Sequence, residues 1–160
     1  MRHTISVLVE NKFGVLARVA GLFSGRGYNI ESLSVAPTLD STVSRMTIVT
    51  SGDDRVLEQI NKQLNKLIDV IKVWDVTQRE FVDRELVLIR VDAKKETRDE
   101  VFRLAQLFEA KVAEVGERSV TLEASGNEAR IEDFIRLLKP LGIREFVRSG
   151  RVAILKSDQK

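Results

Sequence analysis

The sequence predicts an α+β chain: two ferredoxin-like βαββαβ domains in tandem, each an antiparallel sheet with its helices on one face. Three observations predict it. Apolar runs with strand alternation and apolar positions at helical spacing follow one another as strand, helix, strand, strand, helix, strand. That order occurs twice in 160 residues, enough for two small domains. Two right-handed crossovers in such a unit close a four-stranded antiparallel sheet with both helices on the same side.

The first strand is the apolar run Ile5 to Val9. After the turn Glu10-Asn11-Lys12-Phe13-Gly14, residues Val15, Leu16, Val19, Ala20, Leu22 and Phe23 mark one face of a helix ending near Ser24, at Gly25-Arg26-Gly27. In Tyr28–Ala36, Leu33 and Val35 alternate with serines, giving a strand with one small polar face that lies at a sheet edge. Pro37 and Asp40-Ser41 turn the chain into Val43–Thr50, rich in β-branched residues. Ser51-Gly52-Asp53-Asp54 caps a second helix, apolar at Val56, Leu57, Ile60, Leu64 and Leu67. Val70–Val76 closes the sheet, so residues 1–77 form the first domain. Residues 78–84, polar apart from Phe81 and Val82, read as a linker.

The second domain is expected over 85–160. Glu85–Val91 is a strand, and Thr97 opens a helix with Val101, Leu104, Ala105 and Phe108 on one face. Lys111–Val115 and Ser119–Ala124 are strands around Gly116-Glu117-Arg118. A helix after Gly126-Asn127 carries Ile131, Phe134, Ile135 and Leu138 and is expected to stop at Pro140 and Gly142. Ile143–Val147 is a strand, with Val152–Leu155 pairing to it as a hairpin beyond Ser149-Gly150.

Composition excludes several functions. With 26 basic and 24 acidic residues, interspersed, the net charge of +2 argues against nucleic acid as the main partner. The strands Ile5–Val9 and Val43–Thr50 also lack the aromatic residues on which this fold stacks RNA bases. There is no cysteine, so disulfides, thiolate catalysis and cysteine metal sites are out, which fits a cytoplasmic protein. No apolar run approaches the ~20 residues of a membrane helix, and the N-terminus lacks a signal-peptide layout. Catalytic groups are sparse. The single histidine, His3, is read as a surface residue, Asp53-Asp54 as a cap, and no phosphate loop, G-x-S-x-G, H-E-x-x-H or dinucleotide fingerprint occurs. We expect no catalytic residue, metal ligand or cofactor in this chain.

A binding module remains. Helix starts leave backbone N–H groups unpaired with a partial positive charge, which suits a carboxylate. Gly14 lets a ligand approach the backbone of Gly14, Val15 and Leu16. Asn11 and Gly14 also make an ordinary turn, and Asn29 an ordinary cap. Two copies paired through the second strand would bring the Asn11–Leu16 turn of one near Asn29 and Ile30 of the other. The amides would take the carboxylate of an α-amino acid, the Asn11 and Asn29 oxygens its ammonium, and Ile30 an aliphatic side chain.

The first half resembles an ACT domain, the small-molecule sensing module of amino-acid metabolism. More specifically, H-T-I-S-V-L-V-E-N-K-F-G-V-L-A-R-V-A-G-L-F-S-G-R-G-Y-N-I-E-S-L-S-V, from His3 to Val35, resembles the start of the regulatory small subunits of acetolactate synthase (acetohydroxyacid synthase). R-M-T-I-V from Arg45 and V-x-D-V-T from Val73 continue the likeness, and L-V-L-I-R-V from Leu86 extends it across the chain. The resemblance implies a non-catalytic subunit that activates a large catalytic subunit carrying thiamine diphosphate, magnesium and FAD. It also implies feedback inhibition by valine in branched-chain amino acid biosynthesis, with the effector between two ACT domains of a homodimer. The family's site falls on Asn11, Gly14, Val15 and Leu16, with Asn29 and Ile30 from the partner. The other readings are a free-standing ACT-domain sensor regulating another enzyme or a transcription factor, and a small enzyme.

Overall fold

In a computed structural model describing residues 1–157, the chain divides into two units. One is Met1–Val82 with the segment from Arg151 on; the other is Asp83–Gly150. In the first unit β1 (Arg2–Glu10) lies mid-sheet, paired antiparallel with β3 (Val43–Ser51) and β4 (Val70–Asp75), and β2 (Ile30–Pro37) forms the edge beyond β3. Alternation decides which side is core. Ile5, Val7 and Val9 are buried on one face beside Met46 and Ile48, and α1 (Val15–Gly25) and α2 (Asp54–Leu64) close that face. Val15, Val19 and Phe23 recur at helical spacing along α1, as do Leu57, Ile60 and Leu64 along α2. Each such buried side chain contributes about 1.5–3 kcal/mol. Asp53 caps α2, its Oδ1 accepting from the Val56 N–H at 2.9 Å.

The other sheet face is small and polar. Thr4, Ser6 and Thr47 are nonetheless buried. The Arg45 Nε–H donates to Ser6 Oγ at 2.8 Å, and Arg151 donates from Nη1 to Thr4 Oγ1 at 2.9 Å and from its backbone N–H to Ser32 Oγ at 3.2 Å. Trp74 lies beneath the Arg45 and Lys72 cations.

The second unit repeats the plan. Its sheet runs β6 (Lys111–Val115), β7 (Ser119–Gly126), β5 (Phe81–Asp92), β8 (Ile143–Arg148). Val87, Ile89, Val91, Val120 and Leu122 pack with Val101, Leu104 and Ala105 of α3 (Arg98–Leu107) and Ile131, Phe134 and Leu138 of α4 (Glu128–Gly142). Both units are therefore ferredoxin-like, as expected.

Four local expectations change. β5 starts at Phe81, inside the expected linker 78–84, because Phe81 and Val82 continue the strand. β9 (Val152–Leu155) pairs with β5, not with β8, and residues from Arg151 group with the first unit, so the expected domain 85–160 ends instead at Gly150. The last residues of that expected domain, 158–160, lie outside the described residues. Helix α4 ends at Gly142 as expected, where φ 95° makes the turn, but it runs through Pro140 instead of stopping there, since Leu138 and Leu141 remain packed on the core. His3 is buried at 1% exposure, not on the surface. It sits opposite Thr50 on a central strand, its Nε2 3.1 Å from the Gly52 carbonyl oxygen and its Nδ1 without a partner among the described residues.

Candidate functional site

Gly14 is the N-cap of α1 at φ 81°, ψ −6°, a left-handed conformation that costs an L-residue about 1–2 kcal/mol. The turn before it is fixed to its neighbours. The Asn11 N–H donates to the Thr42 carbonyl at 2.8 Å and its side-chain Nδ2–H to the Ser41 carbonyl at 2.9 Å. That second bond orients the Asn11 amide, whose Oδ1 has no partner among the described residues. The Glu10 N–H donates to the Asp69 carbonyl at 2.9 Å.

Helix α1 has no side-chain cap and no acidic residue in its first turn. The Val15 N–H reaches the Lys12 carbonyl at 3.4 Å and the Arg18 N–H the Gly14 carbonyl at 3.0 Å. The N–H groups of Leu16 and Ala17 find no acceptor among the described residues. Of the expected Gly14-Val15-Leu16 set, the Gly14 N–H likewise finds no acceptor among the described residues, Val15 alone is engaged, and Ala17 adds a donor. Val15 turns its side chain into the core, and Leu16 stays 43% exposed.

Sequence reasoning missed Arg18. A Cβ on Gly14 would lie 3.1 Å from Arg18 Nη1, which places the guanidinium beside the turn. Arg18 is held by Asp69, with Nε–H donating to Oδ2 at 2.9 Å and Nη2–H at 2.5 Å. Its signal was its place one helical turn after Gly14. The turn thus presents free N–H groups, an oriented amide oxygen and a nearby cation, an arrangement suited to a carboxylate with an adjoining ammonium.

Asn29 and Ile30 lie elsewhere in the unit. Ile30 pairs with Thr50, which pairs with His3, whereas Glu10 pairs with Val43 at the other end of the same strands. The separation is seven strand residues, roughly 23 Å. Asn29 is exposed, and its carbonyl accepts from Thr50 Oγ1 at 2.6 Å. One chain brings Asn11, Gly14, Val15 and Leu16 together and leaves Asn29 and Ile30 apart. Because β2 is an edge strand, an antiparallel β2 from a second copy is the arrangement that would set one copy's Asn29 beside the other's Gly14.

Among the described residues no three His, Cys, Asp or Glu side chains cluster to hold a metal, and no helix is long and apolar enough to cross a membrane.

Comparison with known proteins decides the family. Residues 84–157 match the family model described as the small subunit of acetolactate synthase, and residues 5–72 match that of the AHAS small subunit-like ACT domain. A probable acetolactate synthase small subunit from Archaeoglobus fulgidus is 52% identical over 160 residues, covering 100% of both chains. This chain belongs to the acetolactate synthase small-subunit family. The small subunit from Haemophilus influenzae is 47% identical, covering 99% of this chain and 98% of its own. The crystal structure of the small subunit from Thermotoga maritima superposes with a TM-score of 0.89 at 37% identity, covering 99% of each chain. Family membership agrees with the tandem ferredoxin-like fold and with the resemblance drawn from His3–Val35.

Proposed function

We propose that this chain is the regulatory, non-catalytic subunit of acetolactate synthase. It raises the activity of a large catalytic subunit and makes it sensitive to valine bound between two ACT domains of a homodimer. Thiamine diphosphate, magnesium and FAD are assigned to the large subunit, and the assembly to the cytoplasm. The observation that carries the valine reading is the uncapped start of α1 behind left-handed Gly14.

In the mechanism, the Leu16 and Ala17 amides take the valine carboxylate, with the Arg18 charge favouring an anion there. Asn11 Oδ1 and the partner copy's Asn29 accept from the ammonium. Leu16 and the partner's Ile30 face the isopropyl group. Valine inhibits only through the difference in its affinity between the active and inhibited assemblies, so the catalytic subunit must change valine affinity by the same factor.

The test is a calorimetric titration of the free chain with valine, leucine, isoleucine and glutamate, followed by the assembled enzyme. Heat with valine and none with glutamate is expected. No heat with any branched-chain amino acid would sink the effector reading. Failure to co-purify with a large thiamine-dependent subunit would sink the regulatory reading and favour a free-standing sensor.

A further inference from the structure

The charges around the Gly14 turn come in pairs. Lys12 Nζ lies 2.7 Å from Glu10 Oε2. Arg18 donates to Asp69 through both Nε–H and Nη2–H. Two cations are thus matched by two carboxylates. The Asp69 charge is felt at the turn itself. The Lys12 ammonium is held above its ordinary 10.5 by Glu10 first, and Asp69 adds to the effect. Asp40, in the neighbouring β2–β3 turn, is engaged by Thr42, whose N–H and hydroxyl donate to its Oδ1 at 2.9 and 2.6 Å.

Asp69 is fixed through backbone and side chain alike. It directly precedes β4, and its carbonyl accepts from the Glu10 N–H at 2.9 Å. Its side chain is 18% exposed, beside an Arg18 side chain that is 51% exposed. A pair so open to water adds little to stability. Its larger consequence is electrostatic. An unopposed guanidinium next to free helix N–H groups would attract any carboxylate, whatever else the ligand carried. Selectivity requires an element that disfavours the wrong ligand.

We propose that Asp69 is a specificity-determining residue of the effector site: its carboxylate cancels the Arg18 charge, so that the turn takes a zwitterionic amino acid and rejects ligands of net negative charge. The inference rests on the effector reading of the Gly14 turn. Asp69 acts through Arg18, both positioning the guanidinium and opposing its charge. A zwitterion brings no net charge to a turn whose charges already cancel. The 2-oxo acid with the same side chain brings a carboxylate and no ammonium. A dicarboxylic amino acid brings a second carboxylate. Both meet the Asp69 charge without an excess of positive charge to offset it.

The test is a calorimetric competition on the full chain between valine and 3-methyl-2-oxobutanoate. The oxo acid keeps valine's isopropyl and carboxylate groups and has a carbonyl in place of the ammonium. Wild type should bind valine the more tightly. In Asp69→Asn, which keeps the shape and removes the charge, the oxo acid should gain on valine roughly 3–10-fold. Arg18→Gln leaves Asp69 unopposed and should move the ratio the other way. The double variant, neutral again, should return towards the wild-type ratio. A wild-type ratio in Asp69→Asn, with both affinities lowered together, makes the ion pair a structural tether and overturns the proposal. So does a wild-type chain that binds the oxo acid as tightly as valine. Thermal melting is recorded for each variant. Where Asp69→Asn fails to fold, Arg18→Gln decides alone, and an unchanged ratio there overturns the proposal. A wild-type chain that binds neither ligand removes the effector reading itself, and this inference with it.

Discussion

Replacing Gly14 by alanine tests backbone and site together. At φ 81° the added Cβ costs about 1–2 kcal/mol. The new atom would lie 3.1 Å from Arg18 Nη1, the far end of a flexible side chain, so Arg18 yields and the backbone cost dominates. With a urea slope of about 2 kcal/mol/M, the unfolding midpoint should fall by roughly 0.5–1 M. The effect on valine follows from the same strain. The turn can relax to a conformation in which the Leu16 and Ala17 amides no longer converge, and valine must then pay to restore it. Affinity should fall by up to about 5–30-fold, the factor equivalent to that strain. Urea denaturation and calorimetry read the two effects separately. Gly14→Asn is the control, because asparagine tolerates the left-handed region and should recover much of the stability. A Gly14→Ala chain with the wild-type midpoint and wild-type valine titration would refute the reasoning.

Other outcomes follow from particular contacts. Asp53→Ala removes the cap on Val56 and should cost about 0.5–2 kcal/mol in chemical denaturation. Arg148 donates to Glu85, which is 7% exposed, and to Glu132; Arg148→Ala leaves the Glu85 carboxylate buried without its cation and should cost about 2 kcal/mol, while Glu85→Gln should cost less. Phe134 is fully buried with its ring 4.9 Å from that of Phe108, so Phe134→Ala should cost about 3–5 kcal/mol, read by thermal melting. The Ser51 hydroxyl, and after it Arg2, hold the Glu31 carboxyl below its ordinary 4.5. A carboxyl lowered in the folded state stabilises fully above its unfolded value and loses that contribution as pH falls through its folded value. Unfolding midpoints of wild type and Glu31→Gln should therefore differ at pH 6, and the difference should shrink as the pH falls below 4.5 and through the lowered folded-state value.

The fold was largely legible because its signals are periodic. Val15, Val19 and Phe23 announce a helix face, and Ile5, Val7 and Val9 a strand face, with no knowledge of partners. What the sequence concealed depends on neighbours far along the chain. Pro140 is a local stop signal that burial of Leu138 and Leu141 overrides. Ser149-Gly150 has the chemistry of a hairpin turn, but β9 finds β5 instead. His3 was read by its nearness to the N-terminus, whereas strand order sets its burial. In the candidate site, Gly14 and Asn11 stood out by residue type. Arg18 did not, because only Asp69, 51 positions away, fixes where its guanidinium points.

The return of the chain at Arg151 has a consequence for how the protein is made. The second unit is an insertion within the first, since Asp83–Gly150 separates Val82 from Arg151. A ribosome working at about 5–20 residues per second needs several seconds to traverse that insertion. During that interval the nascent first sheet lacks the Arg151 bonds to Thr4 and Ser32, and those polar groups stay open to water or to chaperones until Arg151 emerges.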